Sequence, residues 1–404
     1  MIQKIDLLIR TLSPLHVSSG EKGYYFDSDT GYIGTTKGDG KAAITRTYRL
    51  SFAKTAGLDG GKATGGSSLP VINSNGLRGL LRRFAVEELK ELIIARGEFV
   101  NLDVYHTLTC GSPNGRPDGK LSVDQAKAAM SHPFIGLFGG TARLVRGSVS
   151  VGIGWPVHAA VLEAGLLSEK YREYEAVISP GSRLISDTNY LTAGDFFSRK
   201  DDALSWSDIN ASRFVADYTK SVDAWLAKVD ENYAARAAAA EGKGAKGKKA
   251  AKQALEATEV AAAPEAAVGG ETAAEGDTST SRLAIQAFNV REYVLPNLHF
   301  VSEHRLDTSR IGNAGFGLYI LALTRFANAG EFGGGGRNGT GRIEVKVNLP
   351  MADGRNVNLF TKSPNGTLEP DVSQPEIAAA LDAWAQFAPT VTAASLTDIC
   401  FLGA

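Results

Sequence analysis

Residues 73–97 read NSNGLRGLLRRFAVEELKELIIARG and contain the clearest helical pattern in the chain. The apolar residues of this stretch recur at the spacing of about 3.6 residues that is typical of an α-helix. They are Leu77, Leu80, Leu81, Phe84, Leu89, Leu92 and Ile93. Asn73, Ser74 or Asn75 can cap the first turn, and Gly97 can end the last one. The pattern therefore predicts one amphipathic helix over residues 75–96.

Shorter patterns on either side of this helix predict the order of the remaining elements. Strands are predicted at residues 2–17, 144–151, 157–162, 284–294, 297–306 and 343–349. Helices are predicted at residues 311–329 and 376–387, and FIGLFGG at residues 134–140 is predicted to form an apolar turn. This order favours an α+β fold with a ferredoxin-like (RRM-like) β-α-β-β-α-β core and large insertions. The aromatic signature with which RRM domains bind RNA is absent from the sequence.

Composition separates the predicted core from several insertions. The predicted divisions are the core (residues 1–17, 69–165 and 283–350), a basic insertion (18–68), an aromatic-rich insertion (175–229), a flexible insertion (231–281) and a C-terminal extension packed on the core (351–404). Within the basic insertion, Ala42–Phe52 is predicted to form a strand or a hairpin. The flexible insertion is predicted because 18 of the 50 residues from 231 to 280 are alanine and few are large and apolar.

The charge balance of the whole chain gives no sign of a nucleic-acid partner. The 404 residues include 43 Lys and Arg against 44 Asp and Glu, for a net charge of -1. The distribution is uneven: residues 1–100 carry 14 basic and 10 acidic residues, residues 281–350 carry 8 and 5, and residues 351–404 carry 2 and 6. A local basic surplus is the quantity that matters for binding phosphates. Charge alone still favours an ordinary solvated surface.

The cysteines and histidines exclude several classes of protein. Two cysteines, Cys110 and Cys400, are too few for a disulfide-dense scaffold or a cysteine-based zinc finger, and they fit a reducing cytoplasm. The six histidines are scattered, so we expect neither a metal site nor a cofactor. The apolar stretch at the N terminus is short for a signal peptide, and no run of about 18 apolar residues predicts a membrane span.

The start of the long helix is a candidate anion site. Residues 69–83, LPVINSNGLRGLLRR, join a turn of small polar residues to a helix N terminus, where free N–H groups and the helix dipole favour a phosphate. Arg78 and Arg82 lie four residues apart and should share a face. Glycines at 76 and 79 would let a ligand approach closely. A capped surface helix with scattered arginines explains the stretch equally well. The candidate residues are Ser74, Asn75, Arg78, Arg82 and Arg83.

A glycine-rich loop is the second candidate. Residues 330–342 read GEFGGGGRNGTGR, with six glycines in the nine positions from Gly333 to Gly341. Such a loop can present backbone N–H groups to an anion. It is not a P-loop, because no Gly-Lys-Ser/Thr follows. It is not the glycine-rich loop of a kinase either, because the catalytic HRD sequence of kinases follows that loop, whereas HRLD at residues 304–307 precedes this one. A flexible turn is the alternative. The candidate residues are Gly334, Gly335, Arg337, Asn338 and Arg342.

Three motifs together give the chain a family resemblance. They are Ser74-Asn75-Gly76-Leu77-Arg78-Gly79, Leu137-Phe138-Gly139, and Gly333 through Arg342. In this combination the chain resembles the CRISPR-associated RAMP superfamily. Within it, the chain is similar to the backbone subunit that binds guide RNA in Class 1 effector complexes, most of all to the type IV backbone subunit. The resemblance covers the predicted ferredoxin-like elements, about half of the chain.

The resemblance implies a ribonucleoprotein scaffold. Copies of such a subunit stack head to tail along the guide RNA (crRNA), form a helical filament with other effector subunits, and present the guide to an invading DNA or RNA. The helix start and the glycine-rich loop would hold the RNA, together with His16. The basic insertion would face nucleic acid or a neighbouring copy through Lys37, Lys41, Arg46, Arg49 and Lys54. Residues 177–215 would be the thumb that projects into the guide–target duplex.

The same resemblance raises the question of catalysis. Type III relatives cleave target RNA with an aspartate in the loop after the first strand, which here reads HVSSGEKGYYFDSDTG at residues 16–31. Asp27 and Asp29 are present, but the match to that pattern is poor, so no catalytic residue is predicted. A metal-dependent ribonuclease using one of these aspartates stays an alternative. A nucleotide-binding enzyme that uses the glycine-rich loop is a weaker one.

Overall fold

A computed structural model gives the fold. It describes residues 2–19, 24–27, 33–35, 41–52, 67–112, 121–141, 145–175, 192–200, 286–333, 339–351 and 354–400, with short pieces between 213 and 231. The described helices and strands mix in an α+β architecture. No helix among the described residues is long and apolar enough to cross a membrane.

The described residues form the following strands and helices, each numbered in chain order. The strands are β1 (Ile2–Thr11), β2 (Tyr25–Asp27), β3 (Ile33–Gly34), β4 (Lys41–Thr45), β5 (Arg49–Phe52), β6 (Ser67–Pro70), β7 (Gly139–Gly140), β8 (Val145–Arg146), β9 (Val149–Val151), β10 (Trp155–Pro156), β11 (Thr192–Lys200), β12 (Gln286–Val294), β13 (His299–Asp307), β14 (Ile343–Pro350), β15 (Asn356–Asn358), β16 (Phe360–Lys362) and β17 (Leu368–Pro370). The helices are α1 (Ser74–Ala95), α2 (Leu102–Cys110), α3 (Val123–Ser131), α4 (Pro133–Phe138), α5 (Ala159–Glu163), α6 (Thr308–Ala329), α7 (Pro375–Phe387) and α8 (Ala393–Cys400), with 3₁₀ helices at Glu169–Tyr174 and Ala388–Thr390.

The first sheet is antiparallel and has β1 at its centre. Its strand order is β10-β13-β1-β14-β15, with β9 also paired to β13. On β1, the inward side chains Ile5, Leu7 and Ile9 are fully buried. They share their face with Phe300 of β13 and Val347 of β14, which lie opposite them in the register. Helices α1 and α6 cover this face, and Arg325 of α6 forms ion pairs with Glu88 and Glu91 of α1.

The second sheet combines strands of the basic insertion and of the aromatic-rich insertion with β12, which belongs to the predicted core. Its order is β11-β12-β4-β2-β3, and β12 and β4 are parallel neighbours. The chain passes directly from β12 into β13, so the two sheets are joined through residues 294–299. Leu15, just after β1, also pairs with Val294 at the end of β12. The second sheet therefore attaches to the first near the carboxyl end of β1.

The longest predicted elements are confirmed. Helix α1 begins one residue before the predicted start, and α6, α7 and β14 agree with their predicted ranges to within three residues. Helix α7 packs on α6 so closely that a Cβ on Gly317 would lie 2.2 Å from the Ala380 carbonyl oxygen. The first strand ends at Thr11 rather than near residue 17, because the chain turns at Pro14 to pair with β12.

Other predictions are wrong. FIGLFGG is not a turn: its first five residues belong to α4, which begins at Pro133 and is capped by His132, and its two glycines form β7. Residues 157–162 are not a strand, because His158 caps α5 in the same way. Of the two alternatives for residues 42–52, the strand is confirmed by β4 and β5 and the hairpin is wrong, because β4 pairs with β2 and β12 whereas β5 pairs with β6. The flexible insertion and most of the thumb candidate lie outside the described residues.

The buried His304 and the half-buried His132 both accept hydrogen bonds within the fold. The Tyr319 hydroxyl donates to His304 Nδ1 (2.6 Å), and His304 Nε2 lies 3.1 Å from Ser302 Oγ. Ser302 Oγ donates to the Gly152 carbonyl (2.7 Å), so it accepts from the Nε2–H of a neutral imidazole. Burial lowers the pKa of His304 to about 3 and that of His132 to about 4. Both rings are therefore neutral acceptors in the folded protein.

Acid should weaken the fold through these two rings. In the unfolded chain each histidine takes up a proton near its ordinary pKa of about 6.5, whereas the folded protein excludes that proton until far lower pH. Stability is then complete above about pH 6.5 and falls below it, by up to about 1.4 kcal/mol per pH unit for each ring. Urea unfolding from pH 7.5 to pH 4.5 measures this slope. We expect His304→Gln to flatten it, and an unchanged slope in that variant would contradict the assignment.

Candidate nucleic-acid interface

The first turn of α1 presents backbone donors to solvent. Asn73 is the cap, and its side-chain oxygen accepts from the Asn75 N–H at 2.8 Å. Ser74 is half-buried, whereas Asn75 is exposed. Leu77 and Leu81 are buried and Leu80 packs against the core, whereas Asn75 and Arg78 are exposed on the opposite side of this end of the helix. The remaining N–H groups of the first turn have no partner within the helix and are suited to an anion.

Two of the three predicted arginines of α1 lie on the surface. Arg78 and Arg83 are both exposed, and Arg83 Nη1 lies 3.9 Å from the position of a Cβ on Gly79. Among the described residues, no carboxylate forms an ion pair with either guanidinium. The charges of Arg78 and Arg83 are therefore directed to solvent. Both can serve as phosphate contacts.

Arg82, the third predicted arginine, is buried. Its guanidinium donates to the carbonyls of Thr107 (2.7 Å) and Gly139 (3.0 Å), and its Nε donates to that of Leu108. Burial lowers the pKa of Arg82 to about 10, and the nearby Arg78 adds to this effect. Arg82 holds the end of α2 against the turn after α4. The structure thus corrects its predicted role from RNA contact to core element.

The arms of the glycine-rich loop are anchored beside the start of α1. Phe332 N–H donates to the Gly341 carbonyl (2.8 Å), and Gly341 N–H donates to the Pro14 carbonyl (2.7 Å). Gly333 has a φ of +83°, and a Cβ there would lie 2.4 Å from the His16 carbonyl oxygen. Phe332 is buried, and a Cβ on Gly76 of α1 would lie 4.0 Å from its ring. Only glycine permits this approach of loop and backbone.

The structure therefore brings the two sequence motifs to one end of the first sheet. Arg342 is exposed at the end of the second arm, and Glu331 is an exposed carboxylate on the first arm. Four predicted residues in the middle of the loop lie outside the described residues: Gly334, Gly335, Arg337 and Asn338. The described part of the candidate interface consists of Asn75, Arg78, Arg83, the loop arms and Arg342.

Three other predicted RNA contacts belong to a buried cluster around Glu292. The Glu292 side chain is fully buried and accepts from Arg46 Nε (3.1 Å), Arg49 Nη1 (2.9 Å) and Thr192 Oγ1 (2.8 Å). His16 Nδ1 lies 2.6 Å from the Glu292 carbonyl oxygen, and His16 is itself buried. Burial opposes the charge of Arg46, but Glu292 raises its pKa above the ordinary value. Arg46 and Arg49 neutralise a buried carboxylate and His16 contacts a backbone carbonyl, so the predicted role of these three residues at the RNA is corrected.

The remaining predicted residues of the insertion are only partly described. Lys41 lies on β4, but its side chain is outside the described residues, as is the whole of Lys37. Asp27 lies on β2 without a described side chain, and Asp29 is not described. Among the described residues, no group of three or more His, Cys, Asp or Glu side chains could hold a metal ion.

Sequence reasoning missed Glu292 itself. It stands in a strand, in the stretch REYV, and its partners Arg46 and Arg49 precede it by more than 240 residues. The available signal was weak, because a single carboxylate in an alternating strand usually faces solvent. Only the pairing of β12 with β4 reveals the cluster.

Comparisons with known proteins give a structural likeness but no sequence match. No family model matches the sequence, and no curated protein matches it. A solved structure described as a Type IV-B CRISPR complex is similar to the chain, with a TM-score of 0.34 and 15% sequence identity over 85% of this chain and 90% of the other. Chains this far apart in sequence and superposition can differ in function, so a functional assignment depends on this chain's own residues.

Removing the buried carboxylate should destabilise the protein strongly. Glu292→Gln keeps the shape but leaves two largely buried guanidinium groups without their counter-ion, for a loss of about 3–5 kcal/mol. Urea unfolding at pH 7.5 measures the loss. We expect Glu292→Gln combined with Arg49→Met to be less destabilised than the sum of the single changes, because the second change removes one orphaned charge. A loss below about 1 kcal/mol in the single variant would contradict the role of Glu292.

Proposed function

We propose that this chain is the repeated backbone subunit of a CRISPR ribonucleoprotein effector complex and polymerises along a guide RNA. The observation that carries the proposal is the meeting of the first turn of α1 with the glycine-rich loop, where Arg78 and Arg83 are exposed. These are two of the three motifs through which the sequence resembles the RAMP superfamily. The third motif, at Leu137–Gly139, accepts hydrogen bonds from Arg82 in the core below them.

The sheet order supports the same proposal. Strand β1 lies between β13 and β14, and β9 and β10 lie at the outer edge of β13. Helix α1 follows β1 and α6 follows β13, and both helices lie on one face. We propose that this arrangement is a ferredoxin-like palm of the RAMP type and that the chain is a backbone subunit of the type IV kind.

The geometry suits a contact that does not depend on RNA sequence. Backbone N–H groups, a helix dipole and exposed guanidinium groups recognise phosphate rather than bases. A subunit that grips only the backbone can hold guides of any sequence and leave their bases free to pair with DNA or RNA. Copies joined head to tail through one repeated contact form a helical filament, which other effector subunits would complete.

In this proposal the chain binds RNA without cleaving it. The role needs no metal, cofactor or catalytic residue, only a positively charged surface that follows the guide. A ribonuclease role would require Asp27 or Asp29 to act on the target strand. Metal-dependent RNA cleavage by the assembled protein that is lost in Asp27→Ala or Asp29→Ala would overturn the non-catalytic assignment.

Assembly should depend on a guide RNA. Size-exclusion chromatography of the protein co-expressed with a guide should give a large species with high absorbance at 260 nm, because copies collect along the RNA. Without a guide, or after ribonuclease treatment, the species should be smaller. Raising the salt concentration should also reduce its size, because phosphate contacts release counterions. A nucleic-acid-free monomer under all of these conditions would contradict the proposal.

Arg78 should contribute affinity without sequence preference. We expect Arg78→Glu to weaken binding to unrelated RNA sequences by a similar factor and to lower the slope of log affinity against log salt by about 1. The matched control is Arg96→Glu, a charge reversal of an exposed arginine at the other end of α1. Fluorescence anisotropy at two salt concentrations measures both effects. Equal affinity of Arg78→Glu and wild type at both concentrations would exclude a phosphate contact.

A further inference from the structure

The outer face of the first sheet carries a second set of groups beside the proposed RNA contacts. The register places Arg10 of β1 opposite His299 on β13 and Glu344 on β14. Side chains opposite each other share a face, and these three point away from the helices because their neighbours along the strands are buried on the inner face. Lys346 lies two residues beyond Glu344 on the same face. This end of the sheet is adjacent to Arg342 at the start of β14.

An aromatic pair lies on this face. The rings of Tyr174 and His299 have centroids 5.2 Å apart and are tilted by 51°. Both residues are half-buried, so part of each ring is accessible. Burial and the neighbouring Glu173 carboxylate raise the pKa of the Tyr174 phenol, which is neutral at physiological pH. Half-exposed aromatic rings beside cations are the usual platform on which single-stranded nucleic acids stack their bases.

The 3₁₀ helix that carries Tyr174 is attached to the sheet through a buried carboxylate. Asp6 Oδ2 on β1 accepts from Lys170 Nζ (2.7 Å) and from the Tyr171 hydroxyl (2.8 Å). These bonds fasten the 3₁₀ helix Glu169–Tyr174 to the outer face of the sheet. A platform that is already ordered loses little conformational freedom when it binds.

The charges around the pair suit a polyanion. Arg10 donates to the Asn297 side-chain oxygen from Nε (2.9 Å) and Nη2 (2.8 Å), and Glu344 lies 3.4 Å from its Nη1. Arg10 therefore neutralises the charge of Glu344. Lys346 is exposed and has no ion-pair partner among the described carboxylates. Lys346 and Arg342 are therefore left to contact phosphates, with the carboxylates of Glu173 and Glu303 as opposing charges nearby.

We infer that the Tyr174–His299 pair is a base-stacking subsite for single-stranded RNA that continues from the loop arm at Arg342 onto the outer face of the first sheet. This inference rests on the proposed function, because it extends the same RNA path. The phosphate contacts at α1 would grip the backbone, whereas this pair would hold the face of one base. Stacking is tolerant of sequence, so the subsite fits a subunit that carries many different guides.

The test compares RNA with and without bases. The probes are a fluorescent oligouridylate of about twelve nucleotides and a ribose-phosphate oligomer of the same length without bases. Tyr174→Ala should weaken binding of the oligouridylate roughly 5- to 100-fold and leave binding of the abasic oligomer unchanged. Tyr174→Phe should bind both like wild type. The matched control is Phe99→Ala, which removes an exposed ring (54% accessible) just beyond the other end of α1.

Each outcome decides the inference. Equal binding of oligouridylate by Tyr174→Ala and wild type would overturn the subsite, while a loss for Arg78→Glu in the same assay would leave the proposed function standing. An equal loss on both probes would also overturn it, because that result indicates a structural or electrostatic role. Wild type that binds neither probe would overturn both proposals. If Tyr174→Ala does not fold, 4-thiouridine crosslinking of wild type must label the peptide containing Tyr174 or His299; labelling elsewhere alone would overturn the subsite.

Discussion

The buried carboxylate of Glu292 is the interaction on which the assembly of the second sheet with the segment around β5 depends. It receives hydrogen bonds from the insertion after β1 through Arg46 and Arg49, and from β11 through Thr192. A buried carboxylate without such partners is strongly destabilising, so these segments must assemble together. The same bonds withdraw Arg46 and Arg49 from the surface. The surface that can bind a polyanion is consequently left to side chains that the fold does not need, such as Arg78 and Arg83.

The elements that could be predicted are those with long, uninterrupted periodicity. Helices α1 and α6 each have an apolar stripe and a glycine just past the end, and β14 alternates strictly between buried and exposed residues. The predictions failed where the local signal was unusual. His132 and His158 cap α4 and α5 through ring nitrogens, and histidine is not among the residues by which helix starts are usually recognised. The pairing of β4 with β12 depends on strands more than 240 residues apart.

The exposure of the candidate site's side chains could be predicted only where it depends on the helix that carries them and on no other element. Arg78 and Arg82 lie four residues apart and share a face of α1, which suggested one role for both. The neighbours of that face change along the helix: solvent surrounds Arg78, but the ends of α2 and α4 cover Arg82 one turn later. Periodicity describes a helix and carries no information about what packs on it. The prediction from composition failed similarly for Arg46 and Arg49. The composition of a basic segment is the same whether its side chains are solvated or form ion pairs with a carboxylate far away in the sequence.

The central position of β1 also determines when this protein can fold during synthesis. Ile9 pairs with Phe300 on one side and Val345 on the other, so the neighbours of the first strand are made 291 and 336 residues after it. At bacterial or eukaryotic elongation rates the strand waits about 15–60 s outside the ribosome before either partner appears. During that time an apolar strand with two open edges is exposed to other nascent chains. Nascent copies on a shared message would therefore benefit from chaperone protection of the first dozen residues until β13 and β14 emerge.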